Sequence, residues 1–485
     1  MSALVSRPLE DRVATWAHRP AAELIRLAWP ITITTLSYSA MTLAGTLFVA
    51  RVGSDELAGV GLGGVVAFAL ICFAFGMLRG VKTVVAQALG AGRPERVDDY
   101  LGAGVGFAVL LGALALLGGQ VLAPVAAHLC ASPAAGRHAA TYLRLRVLAA
   151  PLLLVYAALR ETRYGEGDAR TPMRASLLGN LLNIGVGATL IFGLGLGVTG
   201  AAVATIVGET AQLAVLAWPE RARLRRLRWH RDAARAVWAQ GAPTGLQFVM
   251  EVGSFLLLTA TIASMSSVDG AAHQMVLQIV NVSFLPAHAV GEAASVLVGV
   301  AVGAGRFDLV RRIAGRALAV GLAYASLCMA VLAVLGGRIV GAMAGDDAAL
   351  AATSARLVHV SLLFLVADAA NVIARGVLRG TGDVRYPAAV GVITAWAMTP
   401  PLAWLLGVHA GLGAVGGWFG LAAEIILGAS LFWWRVGNGA WRPAAEAARA
   451  SLSQPTVIPG TESVDVEELS PPRNRLETPA MEAGT

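Results

Sequence analysis

Long apolar stretches separated by short polar segments run along most of the chain. A membrane-spanning helix needs about 20 predominantly apolar residues, and stretches of this kind predict twelve helices before residue 440. The predicted helices cover residues 27–50, 57–80, 101–123, 147–163, 175–193, 200–218, 241–264, 271–299, 314–335, 357–378, 388–406 and 414–434. The pattern therefore predicts an all-α polytopic membrane protein with twelve transmembrane helices.

Composition and charge agree with a membrane protein. Of the 485 residues, 56% are hydrophobic and only 14% are charged, which excludes an ordinary soluble globular protein. The net charge of +7 does not indicate nucleic-acid binding, because the basic residues are scattered in short connecting segments. Alternate segments hold 29 and 6 basic residues, so the positive-inside rule places both termini in the cytoplasm. The expected location is the cell inner (plasma) membrane.

One long basic connector divides the predicted helices six and six. It is PERARLRRLRWHRDAARAVWAQ at 219–240, whereas the chain beyond residue 444 becomes polar, acidic and proline-containing, which is typical of disorder. We therefore expect a cytoplasmic N-terminal segment (1–26), an N-terminal six-helix bundle (27–218), a basic cytoplasmic linker (219–240), a C-terminal six-helix bundle (241–434) and a cytoplasmic, largely disordered tail (435–485).

The two sets of six helices repeat each other in sequence. ALGAGR at 88–93 matches AVGAGR at 301–306 with an offset of 213, and GEGDARTP at 165–172 matches GTGDVRYP at 380–387 with an offset of 215. Because each half has an even number of helices, matching motifs fall on the same side of the membrane. The two six-helix bundles are therefore expected to be related by a pseudo-twofold axis along the membrane normal, with the site between them near the midplane.

A single charge, Glu251, lies inside the seventh predicted helix, GAPTGLQFVMEVGSFLLLTATIAS. A charged side chain at the bilayer centre costs roughly 2.5–3.5 kcal/mol on insertion scales, so it usually faces a cavity or a partner and marks an ion or substrate path. An apolar setting favours the neutral form of a carboxyl group, which suits a proton carrier, whereas two carboxylates that share a cavity suit a monovalent cation. The alternative is a structural hydrogen bond between helices.

Several motifs resemble those of the multidrug and toxic compound extrusion (MATE) family. They are LAWPI (27–31), DELAGVGLG (55–63), VVAQALGAGR (84–93), AAHQMV (271–276), ASVLVGVAVGAGR (294–306) and GVLRGTGDVRYP (376–387). The resemblance covers about residues 20–440 and implies two bundles around a V-shaped cavity that alternates between outward-open and inward-open states. It also implies export of organic, often cationic, compounds in exchange for H⁺ or Na⁺, with no cofactor beyond that coupling ion.

The resemblance also implies which acids bind the coupling ion. In the NorM-like branch these acids occur in contexts similar to FVMEVGSF and VADAANVIARGVLRG, which correspond here to Glu251 and Asp368. The chain departs from the family in the first helix, where Gly45 stands at the place of a usual Asp. The resemblance therefore assigns ion coupling to the C-terminal half.

Other polar residues inside predicted helices are candidates for the substrate cavity. These are Tyr38, which superposes on Glu251 through the 213 offset, and Asn183, Glu209, Asn281 and Glu424. For Asn183, Asn281, Glu209 and Glu424, the alternative is a hydrogen bond to a polar neighbour inside a bundle. Arg79 and Glu292 occupy equivalent positions under the same offset and are predicted to pair as a cytoplasmic gate; the alternative is two independent side chains that extend to the interface.

Two competing functions are weaker. A lipid-linked oligosaccharide flippase of the same superfamily needs cationic cavity residues for a diphosphate, and only Arg79 and Lys82 are candidates, near a helix end. An intramembrane enzyme is not indicated, since no HExxH, GxSxG or paired-Asp pattern lies in a helix. We therefore predict no catalytic residues, no metal site, no nucleic-acid partner, and a monomer whose partners are small organic substrates and the lipid bilayer.

Overall fold

The computed structural model describes residues 20–130 and 132–453, which are almost entirely helical. The helices are α1 (Pro20–Ala50), α2 (Ser54–Gly90), α3 (Arg96–His128), α4 (Pro133–Leu148), α5 (Ala150–Gly165), α6 (Arg170–Ala188), α7 (Gly197–Ala217), α8 (Arg221–Leu224), α9 (Arg231–Met265), α10 (Ser267–Gly303), α11 (Phe307–Ala344), α12 (Ala348–Thr381), α13 (Arg385–Leu402), α14 (Ala414–Asn438) and α15 (Arg442–Ser453). Eleven helices of this described part are long and apolar enough to cross a membrane, or twelve if the bent pair α4–α5 is one span. The all-α, twelve-span prediction is confirmed.

The fourth span is longer than the hydropathy pattern predicts and is broken in the middle. The predicted helix covered 147–163, whereas α4 begins at Pro133 and α5 follows it at an angle of 46°. Ser132 caps α4 by accepting a hydrogen bond from the backbone N–H of Ala135 over 3.0 Å. Pro151, in the first turn of α5, has no N–H to continue the ladder of hydrogen bonds, so the chain bends there. The basic residues of α4 lower the mean hydropathy of this segment. The hydropathy pattern therefore missed the helix and wrongly left Arg146 outside the span.

The seventh span also begins earlier than its apolar stretch. Residues 231–240 were assigned to the linker, but α9 starts at Arg231, and Ala233, Ala234 and Val237 on its first turns are buried. A prediction from hydropathy ends where charged residues begin, whereas the backbone hydrogen bonds of a helix can continue through charged residues. The segment assigned to the tail contains α15; the rest of that tail, and residues 1–19, lie outside the described residues.

The sequence repeat has a structural counterpart at the turns. Gly92 and Gly305 both have φ of 72°, and Gly167 and Gly382 have φ of 80° and 88°. Only glycine adopts these angles freely, which explains why GAGR and GxGD recur. The fifth and eleventh spans also end alike, in π-helical turns at Thr189–Gly193 and Ala403–His409. Both halves therefore have the same glycine turns and π-helical turns at equivalent places.

The two halves meet at the ends of the helices that carry the GAGR turns. There α2 packs against α9 so closely that a Cβ at Gly76 would lie 2.7 Å from Gly245 Cα, and one at Gly80 would lie 2.8 Å from Gly241 Cα. A buried cluster joins α1 of the N-terminal half to α10, α11 and α12 of the other, and it includes Leu24, Leu27 and Ile31. This end, at which the two halves touch, is called the joined end below.

Candidate functional site

Glu251 lies near the middle of α9, where one of its oxygens accepts two hydrogen bonds. Gln247, one turn earlier, donates from Nε2 to Oε1 over 2.8 Å. Arg375 of α12 donates from Nη1 to the same oxygen, also over 2.8 Å. The Arg375 and Glu251 side chains are 15% and 22% exposed. Because a guanidinium group does not lose its proton in proteins, Glu251 has a permanent counter-ion.

The neighbouring helix α13 leaves room for this arrangement by having a glycine. A Cβ at Gly391 would lie 2.6 Å from both Glu251 Oε1 and Gln247 Nε2, closer than real Cβ contacts come. Any larger residue would displace the two polar groups. Gly391 therefore belongs to the site although it has no side chain.

Asp368 and Glu424 complete a cluster around Arg375. Asp368 lies on the same face of α12 as Arg375, since seven residues make close to two helical turns. Its carboxylate makes no hydrogen bond or ion pair with any described residue, and the charges that act on it are those of Arg375 and Glu424. Glu424 of α14 accepts a hydrogen bond from the hydroxyl of Thr399 on α13 and also experiences the charge of Glu251. The structure thus brings three predicted acids together.

Arg375 is fixed from a second side and is linked to a neighbouring arginine. Its guanidinium carbon lies 5.2 Å from the centre of the Phe432 ring, within cation–π range. One turn further along α12, Arg379 donates from Nη2 to Gln247 Oε1 over 3.4 Å. Gln247 therefore connects Arg379 to Glu251, and the whole group is held by α9, α12 and α14.

The N-terminal half holds a closed ion pair instead of a cluster of acids. Arg146 of α4 and Glu209 of α7 form a two-pronged contact, with Nη2 to Oε1 at 2.7 Å and Nη1 to Oε2 at 3.1 Å. Both side chains are largely buried, at 14% and 8% exposed. A hydrogen bond and a second close contact between opposite charges hold the pair together and leave no net charge. Glu209 therefore follows the alternative interpretation of the sequence, a polar partner inside a bundle.

The remaining cavity candidates lie in different environments. Tyr38 is 54% exposed, and its hydroxyl group is close enough to Arg146 to affect it electrostatically. Asn183 is buried at 8% exposure and packs against Gly208 of α7, between two helices of the same half. Asn281 is exposed on α10. Of the predicted lining residues, Glu424 is in the cluster with Glu251 and Asp368, whereas Tyr38, Asn183 and Asn281 are not.

A second group of charges joins the two halves at the joined end. Lys82 of α2 forms an ion pair with Glu292 of α10 and lies 3.6 Å from Glu161 of α5. Arg79 Nη1 is 3.7 Å from Glu292 Oε1, which brings together the two residues predicted as a gate. Lys82 is only 3% exposed, and α2 continues to Gly90. Lys82 therefore lies inside the helix, and not near its end as the sequence pattern suggested.

Three basic residues with structural roles were not singled out from the sequence as ion-pair partners: Arg375, Arg146 and, as a partner of Glu292, Lys82. A signal existed for Arg375, because its spacing of seven from Asp368 places both on one helical face. Arg146 gave no such signal, since its helix was not recognised. Basic residues near helix ends resemble those that set membrane topology. Only their burial in the structure shows that these three form ion pairs instead.

A family model and two relatives with known names match this chain over most of its length. The MatE family model matches residues 30–189 and again 243–405, so its two matches begin 213 residues apart, as the sequence repeat does. The chain is 32% identical over 437 residues to the multidrug resistance protein NorM of Burkholderia vietnamiensis, which covers 86% of this chain and 94% of that one. It is also 32% identical over 427 residues to a probable multidrug resistance protein NorM of Pseudomonas putida, with 82% and 90% covered.

Solved structures show the same fold. A MOP superfamily transporter from Pyrococcus furiosus superposes with a TM-score of 0.80 at 21% identity, covering 89% of this chain and 97% of that one. The outward-facing conformation of a multidrug resistance MATE family transporter gives the same TM-score of 0.80, identity of 21% and coverage. Because the family model matches more than half of the chain, and a relative more than 30% identical covers most of it, the chain belongs to the MATE family of membrane transporters.

Proposed function

We propose that this protein is a secondary active multidrug efflux antiporter, which exports organic, often cationic, compounds in exchange for H⁺ or Na⁺. The observation that carries the proposal is the cluster in the C-terminal half, where Glu251 is paired with Arg375, and Asp368 and Glu424 lie close enough to Arg375 to experience its charge. With every carboxyl group ionised, the three acids exceed the charges of Arg375 and of Arg379, one turn away, by one negative charge. Such an excess inside membrane helices favours the uptake of protons or cations.

A difference between the two halves supports the proposal that ion coupling takes place in the C-terminal half. In the N-terminal half, Glu209 is already neutralised by Arg146 through a close ion pair that includes one hydrogen bond. In the C-terminal half, Asp368 has no such partner among the described residues. We infer that Glu251 and Asp368 bind the coupling ion, and that Gly45 leaves the first helix without an acid at the family's usual place.

Transport requires that the ion prefer one conformation over another. The ion pair between Lys82 and Glu292 and the close approach of glycines on α2 and α9 favour a state closed at the joined end. We infer that this end faces the cytoplasm, in line with the distribution of basic residues, and that the bundles rock about it to alternate access. Both termini are then cytoplasmic in the inner membrane, and a monomer suffices because one chain supplies both halves.

The substrate class is inferred from the named relatives, which are multidrug resistance proteins. The flippase alternative has less support, because a diphosphate needs cations that are free to bind it. Lys82 is paired with Glu292, and Arg79 is 3.7 Å from the same carboxylate. The excess of acid around Arg375 also disfavours an anionic substrate.

Transport in proteoliposomes tests the proposal. Vesicles with an acidic or Na⁺-loaded interior should accumulate a cationic dye, and Glu251→Gln and Asp368→Asn should each reduce gradient-driven accumulation by about tenfold or more, as expected from the loss of one charge-assisted contact. Glu95→Gln is a matched control, since Glu95 is 59% exposed outside the cluster. The coupling assignment is wrong if neither gradient drives transport, or if Glu251→Gln responds as the unaltered protein does.

A further inference from the structure

Arg375 presents a contradiction inside a site proposed to bind a cation. Its Nη1 donates to Glu251 Oε1 over 2.8 Å, and Gln247 donates to the same oxygen. One oxygen of a proposed ion ligand, Glu251 Oε1, is therefore already bound by a positive charge that belongs to the protein. Since this charge cannot be removed by deprotonation, it is present at every stage of transport.

The guanidinium is held in place and cannot readily withdraw. Glu251 binds it on one side, and the Phe432 ring lies 5.2 Å from its central carbon on another. The side chain is only 15% exposed, so leaving Glu251 would separate a partly buried ion pair with little water to replace it. Arg375 therefore remains at the site as a tethered cation.

A tethered cation affects a sodium ion and a proton differently. Arg375 opposes the added positive charge of either ion, so the difference between the two ions lies in the ligands that they need. A sodium ion needs several oxygen ligands, and at Glu251 it finds Oε1 already accepting from both Arg375 and Gln247. A proton needs one oxygen only, which Asp368 offers. Asp368 has an open carboxylate, with no hydrogen bond or ion pair to the described residues.

The groups packed around α12 do not change this preference. Arg375 on α12 itself and Glu424 on α14 are the charges that act on Asp368, and Glu424 is engaged by Thr399. Of the ionisable side chains on neighbouring helices, Glu251 pairs with Arg375, Glu292 with Lys82 and His288 with Arg79, while the hydroxyl group of Tyr324 donates to the backbone carbonyl of Val282. On α12 itself, Arg379 donates to Gln247.

We propose that Arg375 determines the coupling ion: by occupying the Glu251 carboxylate as a built-in cation, it makes the C-terminal half take up a proton on Asp368 and not a sodium ion. This inference rests on the proposed antiport function and adds the identity of the ion. Arg375 does not itself bind the transported ion; it selects that ion through Glu251.

The experiment compares Na⁺ binding and ion-driven transport in three variants. Arg375→Ala frees Glu251, whereas Arg375→Lys keeps a positive charge. Arg356→Ala is the matched control, because Arg356 lies on the same helix near its other end and bonds only to Thr353 among the contacts described. Binding of radioactive ²²Na⁺ is measured on purified protein that elutes as a single species, and dye accumulation is measured in proteoliposomes with a proton or a Na⁺ gradient.

The unaltered protein, Arg375→Lys and Arg356→Ala are expected to respond to the proton gradient and to show no saturable Na⁺ binding. Arg375→Ala is expected to gain saturable Na⁺ binding and a response to the Na⁺ gradient. Saturable Na⁺ binding by the unaltered protein, or no gain in Arg375→Ala, overturns the inference. If neither gradient drives the unaltered protein, antiport itself is wrong, and the Na⁺ binding data still decide whether Arg375 blocks sodium.

Discussion

Replacing Lys82 with methionine should open the joined end of the molecule. Lys82 crosses between the halves, forming an ion pair with Glu292 and lying 3.6 Å from Glu161 while only 3% of its side chain is exposed. Methionine preserves most of the length and the apolar part of this side chain but removes its charge. Glu292 is then left in a buried position with less compensation, and only separation of the halves restores water to it.

The size of the effect follows from the remaining contacts. Removing one partner of a buried ion pair costs roughly 3–5 kcal/mol, because the other charge stays buried. Here Arg79 remains 3.7 Å from Glu292, and Arg160 remains 2.9 Å from Glu161, so part of the compensation survives. We therefore expect the closed state to lose about 2 kcal/mol, which corresponds to a roughly 30-fold shift in the equilibrium between closed and open states.

Cysteine labelling measures this equilibrium. Gln87 of α2 is 3% exposed and donates a hydrogen bond to Gly380 of the other half, so Gln87→Cys is shielded only while the halves touch. The native cysteines are replaced first: Cys72, Cys130 and Cys328. In inverted vesicles, a membrane-impermeant maleimide should then label the Lys82→Met protein roughly 30 times faster than its parent, as the shift of about 2 kcal/mol requires.

Two further variants decide whether charge is the cause. Lys82→Arg keeps the positive charge and should label like the parent, while adding Glu292→Gln to Lys82→Met removes the stranded acid and should restore most of the protection. The reasoning is refuted if Lys82→Met labels at the parental rate, or if the double variant labels as fast as Lys82→Met alone.

Two other substitutions test the site and the N-terminal half. In Gly391→Ala the new Cβ would lie 2.6 Å from Glu251 Oε1, so we expect about a tenfold loss of proton-driven dye transport from the displaced contact. The control, Gly437→Ala, adds its Cβ in open space on α14 and should transport normally. Equal activity of the two variants would contradict a role for Gly391 in the site. Arg146→Met leaves Glu209 buried without its counter-ion and should lower the free energy of unfolding by about 3–5 kcal/mol, measured by unfolding in detergent. Adding Glu209→Gln to the same chain should recover most of that loss. An unchanged stability of Arg146→Met would show that the ion pair does not stabilise the fold.

The acids of the site could be named from the sequence, but the sequence did not show which of them has an ionic partner. Glu251 is the single charge of its predicted helix, whereas Asp368 shares its predicted helix with Arg375, and the family motifs treat the two acids alike. In the structure, Glu251 is paired with Arg375, whereas Asp368 has no hydrogen-bonded or ionic partner among the described residues. Burial and charge at a site depend on which helices pack against it, and a sequence window contains no information about those neighbours.

The sequence by itself determined most of the membrane spans, the repeat and the glycine turns, because these depend on neighbouring residues. A helix in lipid satisfies its own backbone hydrogen bonds, so its position follows from local hydrophobicity, and a glycine at positive φ follows from backbone sterics alone. Only the tertiary structure decided the charge pairs. Arg375 and Glu251 are 124 residues apart, and Lys82 and Glu292 are 210 apart. Such partners meet only after the helices have packed, because an ion pair depends on distance in space and not on distance along the chain.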